Sequence, residues 1–98
     1  MGDKADSHPI NVVYVLASAA GTRLTTYVGW TNDLPRRLAR HNAGTGARST
    51  RGRTWIVLYT ETFATRNEAM SREWHLKRDR VFRKQLLDRF RDTIAQPS

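Results

Sequence analysis

The chain has no cysteine, which excludes disulfides, thiolate zinc sites and cysteine nucleophiles together. Acid is scarce as well: nine Asp+Glu stand against 17 Lys+Arg, a formal net charge of +8 at pH 7. Such an imbalance on so small a body makes a polyanion the expected partner, and nucleic acid is the first candidate. Long apolar runs are missing too. The opening stretch MGDKADSHPI carries Asp3 and Asp6 and no apolar segment, so neither a signal peptide nor a membrane anchor is expected, and a reducing, cytoplasmic setting is the default. The three histidines, His8, His41 and His75, lack metal-ligand spacing. With 98 residues there is room for one domain and one modest core.

What is present is unevenly placed. Between Asp33 and Glu61 no acidic residue occurs, while Arg36, Arg37, Arg40, Arg48, Arg51 and Arg53 all fall there. Arginine's planar fork grips phosphate oxygens in two places, so this stretch is the expected phosphate-facing surface; a solvated face that aids solubility is the plainer alternative.

Residues 1–10 and 92–98 are polar and aperiodic and read as loosely ordered tails around a single domain, 11–91. Within it, Val12 to Ala17 is a β-branched and aromatic run of strand length, Ser18 to Thr22 a small-residue turn, and Leu24 to Trp30 a second run, so the three form a hairpin. Asn32 or Asp33 can cap a helix that has Pro35 in its first turn and ends near Asn42. The segment AGTGARSTRGRT breaks all periodicity and reads as a basic loop. Trp55 to Thr60 is a third strand. Thr65 with Glu68 three positions on is a capping box opening a helix from Arg66 to about Lys77, and Arg80 to Arg91, with Val81, Leu86, Leu87 and Phe90, is the last helix. The order ββαβαα predicts an α+β domain, a three-stranded antiparallel sheet flanked by helices.

Three polar groups fall on faces that ought to be apolar. Glu73 shares a helical stripe with Ala69 and Leu76, and Arg37 and His41 share one with Leu34 and Leu38. An inward carboxylate needs a cation opposite it. An internal salt bridge and a metal site both satisfy that need, and for His41 a plain structural partner is the simpler reading. Tyr14 in VVYVL and Tyr27 in TTYVGW are tyrosines in strands, which ordinarily pack. Gly29, two residues after Tyr27, marks a place where a ligand or another backbone approaches closely.

Together these residues resemble the GIY-YIG nuclease superfamily, in its small stand-alone bacterial subfamily, which includes single-strand-directed endonucleases. Val13-Tyr14-Val15 is similar to the first signature and Tyr27-Val28-Gly29 to the second. WTNDLPRRLARHN looks like the family's helix, and REWHLK around Glu73 looks like its metal-binding helix. The resemblance covers about residues 11 to 90. It departs from the pattern in having Val13 for the first glycine, and no asparagine follows the glutamate as it does in larger relatives.

The resemblance implies one divalent cation, Mg2+ or Mn2+, held by Glu73, the scissile phosphate and water. It further implies that Arg37 neutralises charge on the phosphate, that one of Tyr14 and Tyr27 takes the proton from the attacking water, and that His41 orients a tyrosine or the phosphate. The other tyrosine would bond the phosphate or that water. With little surface for reading sequence, DNA is expected to be held through phosphates by Arg48, Arg51, Arg53 and Lys77, beside Gly29. Single-stranded DNA is the expected substrate, with Trp30, Trp55 and Trp74 as the available stacking platforms, at least two of which are expected to pack in the core instead. The rival is a non-catalytic basic nucleic-acid-binding module in which Glu73 is bridged to Arg37.

Overall fold

The computed structural model describes residues 10–20 and 23–95. Strand β1 (Asn11–Ala20) pairs antiparallel with β2 (Arg23–Thr31) on one side and with β3 (Ile56–Phe63) on the other, in the order β2-β1-β3. Helix α1 (Leu34–Ala43) follows β2, a short 3-10 turn (Arg48–Thr50) interrupts the basic loop, and α2 (Arg66–Arg78) and α3 (Arg80–Ala95) complete the chain. The α+β sheet with flanking helices is therefore as the sequence order predicts. Among the described residues no helix is long and apolar enough to cross a membrane.

As the central strand, β1 is buried on both faces, which is why Val13, Tyr14, Val15 and Leu16 form an unbroken apolar run. Period-two alternation splits that run between two cores. Val13 and Val15 pack with Val28, Ala69, Leu76 and Leu86 on the side of α2 and α3. Tyr14 and Leu16 pack with Trp55, Tyr27, Leu34 and Leu38 on the side of α1. Register pairs Tyr14 with Gly29 and Leu16 with Tyr27, so both tyrosines stand on one face of the sheet.

Several boundaries differ from expectation. The expected turn at Ser18 gives way to paired strand through Ala20, because small residues such as Ala19 pair across to Leu24 as readily as large ones. Trp55 is not in the third strand but turned into the core, its indole N–H on the Thr50 carbonyl at 2.8 Å and its backbone N–H on Asn42 Oδ1 at 2.6 Å. The strand runs on to Phe63, with Glu61 held by Arg72. Asp33, rather than Asn32, caps α1, its carboxylate accepting from the Arg36 N–H at 3.2 Å. The Thr65–Glu68 capping box forms as expected. Helix α3 continues past Arg91 to Ala95, and Val81 lies 68% exposed on it instead of in the core. The expected N-terminal tail, but for Ile10, and residues 96–98 lie outside the described residues.

Candidate active site

A cavity of about 420 Å³ opens at the margin of the edge strand β2, lined by Tyr14 from β1, by Tyr27, Gly29, Trp30 and Thr31 from β2, by Asn32 and Arg37, and by Arg66 and Glu73 from α2. Five residues singled out in the sequence, Tyr14, Tyr27, Gly29, Arg37 and Glu73, thus meet at one place. His41 stands behind them, fully buried.

Tyr14 and His41 are joined at the back of the cavity, the phenol oxygen 3.0 Å from Nε2. His41 Nδ1 lies 2.9 Å from Thr50 Oγ1, and that hydroxyl donates to the Ala47 carbonyl at 2.7 Å. A hydroxyl has one proton, so Thr50, having given its own to Ala47, accepts from His41 Nδ1–H. Nε2 is then the bare nitrogen, and Tyr14 donates to it. Hydrogen bonds therefore run in one direction, from Tyr14 through His41 and Thr50 to the backbone. The buried site and the Arg37 and Arg40 guanidinium groups all keep the imidazole neutral, holding His41 below its ordinary range. Burial foremost, then the neighbouring Tyr27 phenol and the Glu73 carboxylate, raise Tyr14 well above the usual phenol range, against the lowering pull of Arg37.

Two glycines make this packing possible. A Cβ on Gly29 would sit 2.5 Å from the Tyr14 hydroxyl, and one on Gly46 would sit 2.7 Å from His41 Nδ1. What closes on Gly29 is not the ligand or other backbone expected from the sequence but the Tyr14 ring.

Glu73 is not sunk in the apolar face as its stripe implies; its side chain keeps 22% exposure and faces the cavity. Its partner is Lys77, one turn on, at 3.5 Å. The bridge to Arg37 is not formed. Among the described residues Arg37 has no carboxylate partner, although it lines the same cavity. Among the described residues, too, no three His, Cys, Asp or Glu side chains come together as a metal cluster. What the cavity offers a cation is one carboxylate and phenol oxygens, hard donors that suit an ion retaining most of its waters.

The loop arginines are not in the lining. Arg48 and Arg51 are exposed beside the 3-10 turn, and Arg53 is half-buried, its Nη1 buried without a hydrogen-bond partner among the described residues. The cavity's cations are Arg37 and Arg66. Of the tryptophans, Trp55 is core, Trp74 is 53% exposed beneath the Arg78 guanidinium at 3.7 Å, and Trp30 lines the cavity. Sequence reasoning missed Thr50 and Arg66. Arg66 could have been found, since positions 66, 70 and 73 fall on one helical face. Thr50 gave no local signal.

The family model of the GIY-YIG catalytic domain matches residues 10–85. A UPF0213 protein of Halobacterium salinarum is 50% identical over 66 residues, 66% of this chain and 82% of that protein. Another, of Bacillus pumilus, is 49% identical over 65 residues, 65% of this chain and 63% of its own length. A third, of Clostridium perfringens, is 43% identical over 70 residues, covering 70% and 72%. No solved structure matches the chain. The matched span holds both tyrosines, the arginine and histidine of α1 and the glutamate of α2, and with it the chain belongs to the GIY-YIG family of nuclease-like endonuclease domains.

Proposed function

We propose that this protein is a divalent-metal-dependent endonuclease that hydrolyses DNA phosphodiester bonds, prefers single strands and reads little sequence. One observation carries the reading: Arg37 and Glu73 face the same cavity without pairing to each other. A hollow with a free guanidinium at one point and a carboxylate at another receives a phosphate at the first and a cation at the second. Glu73 would hold one Mg2+ or Mn2+, leaving the other positions to water and phosphate. That ion, when bound, supplies positive charge beside the phosphate.

The remaining work belongs to side chains. Arg37 binds the phosphate and offsets the charge that grows on it as the bond breaks. Tyr14 is the better of the two tyrosines for the base role, because among the described residues only it has a proton acceptor behind it. As its oxygen takes a proton from the attacking water, its own proton passes to His41 Nε2. The phenol stays neutral, and the cost of charge in the buried site falls instead on His41, which carries the proton as an imidazolium while the anionic phosphate is bound nearby. Thr50 keeps His41 in the tautomer that can accept. Tyr27 bonds the phosphate or the water. Arg48, Arg51, Arg53 and Lys77 contact phosphates farther along the strand. The unit that acts is residues 11–91, in the cytoplasm.

Labelled single- and double-stranded oligonucleotides incubated with magnesium test the reading on wild type and Glu73→Ala. Wild type should cut the single strand faster and the variant should cut neither. A wild type that binds both and cuts nothing is a basic binding module instead, and a variant that cuts as well as its parent removes Glu73 from the site.

A further inference from the structure

Next to the cavity of Tyr14, Arg37 and Glu73 lies a second hollow of about 790 Å³, and the two share Trp30, Asn32 and Arg66. The chemistry changes across that shared wall. The first cavity is built of tyrosines, arginines and a carboxylate. The second adds Ile10, Phe63 and Ala64, and among the described residues it has no acidic residue and keeps Arg66 as its only charge. The Arg66 guanidinium lies over the Trp30 ring, 5.4 Å from its centre. Asn11 is already engaged, its amide shared between the Phe63 and Ala64 carbonyls at 3.4 Å each, which ties the start of β1 to the end of β3. The side chain of Asn32, in contrast, makes no hydrogen bond among the described residues and is exposed at the junction.

We propose that this groove takes one unpaired nucleobase from the nucleotide flanking the scissile phosphate, an inference that rests on the endonuclease reading above. Its volume falls within the ~300–1,000 Å³ of ordinary small-molecule sites. A second phosphate would desolvate against Ile10 and Phe63 with a single cation to receive it, whereas a base presents flat apolar faces to such walls and a polar edge to a free amide. Trp30 and Phe63 supply the faces, Asn32 the edge contact, and Arg66 spans the junction on the strand's backbone. The groove adjoins the reaction cavity at Trp30, Asn32 and Arg66, so the base it takes is assigned to a nucleotide next to the phosphate on Arg37. A base in a duplex has its faces stacked and its edge paired and cannot turn into the groove without unpairing. Single-strand preference then has a structural cause next to the site of cutting.

The test uses tetranucleotides with one cleavable phosphodiester, intact or with an abasic linker replacing each nucleotide in turn. In wild type an abasic linker at one flanking position should raise KM about tenfold with kcat little changed, as expected for the loss of one stacked base. Ala64→Trp, which fills the groove from an exposed position away from the reacting groups, should make intact and abasic substrates equally poor. Equal kcat/KM for intact and abasic substrates in wild type overturns the inference. If nothing is cleaved at all, the endonuclease reading has failed, and binding of the same oligonucleotides without metal still decides the groove. About tenfold tighter binding of the intact form, abolished in Ala64→Trp, supports the groove as a base site, and equal binding overturns it.

Discussion

Arg72 and Glu61 meet in a two-pronged ion pair, Nε to Oε1 at 3.0 Å and Nη2 to Oε2 at 2.9 Å, with the Tyr59 hydroxyl donating to the same carboxylate. Arg37, Glu73 and Tyr14 are the same three residue types at another place in the fold, and there they do not meet. Burial works against ionised Glu61, yet the bonds from Arg72 and Tyr59 outweigh it and hold its carboxyl below the usual range. That cluster is closed, since each charge is answered from within. Among the described residues, Arg37 at the cavity is unanswered, Glu73 is answered only by Lys77 beside it on the helix, and Tyr14 donates away from both, to His41. A fold that can pair arginine with glutamate and keeps one such pair apart has left room for something else between them.

The largest expected effect breaks the open set. Glu73→Gln should lower kcat by on the order of 10³-fold or more, with the melting temperature nearly unchanged because the residue is partly exposed and only its weak bridge to Lys77 is lost. Measured turnover alongside thermal melting checks both halves. A large loss of stability with activity retained would make Glu73 a second structural carboxylate like Glu61.

Tyr14→Phe should come next, costing kcat about 10²–10⁴-fold as expected for loss of a positioned base. Tyr27→Phe should cost markedly less. Single-turnover rates of the two variants compare them directly, and the reverse order would transfer the base role to Tyr27.

Thr50→Val removes the acceptor for His41 Nδ1–H, freeing the imidazole to flip its tautomer. A loss of about tenfold in kcat is expected, with Thr50→Ser restoring it. The pH profile separates this from simple destabilisation. His41 accepts from Tyr14 only when neutral, and its pKa lies below the ordinary ~6.5. Activity should therefore hold at neutral pH and fall on acidification below that range, and the limb should move in Thr50→Val. Stability follows the same sign: the His41 contribution is full above ~6.5 and is lost as pH falls through the lower folded value. The urea midpoint of wild type should drop from pH 7 to pH 5 more than that of His41→Asn.

The smallest effect on catalysis belongs to the closed cluster. Glu61→Gln should cost about 1 kcal/mol, since the pair is partly solvated, or ~4–8 °C in melting temperature. Cleavage rates at low temperature should match wild type, and a matching loss of activity would mean that the two clusters are coupled.

Patterns of two and of 3.6 carried much of this into the sequence. Alternation in β1, the capping box at Thr65 and the stripe through Leu34, Leu38 and His41 are local, because neighbours in sequence set which side of a strand or helix a residue occupies. The strands, the helix that holds Arg37 and the helix that holds Glu73 were legible for that reason, while the family came from the resemblance of the motifs they carry. Contacts between distant segments were decided only by the tertiary structure. Thr50 reaches His41 across a loop without periodicity, Trp55 leaves its strand to donate to that same loop, and Tyr14 fits under Gly29 only because register sets them opposite. The sequence also marked Glu73 and Arg37 as charges on inward stripes, and either an ion pair or an open site satisfied the pattern. Whether opposite charges meet depends on where two helices end relative to an edge strand, a matter of packing between elements that no local spacing encodes.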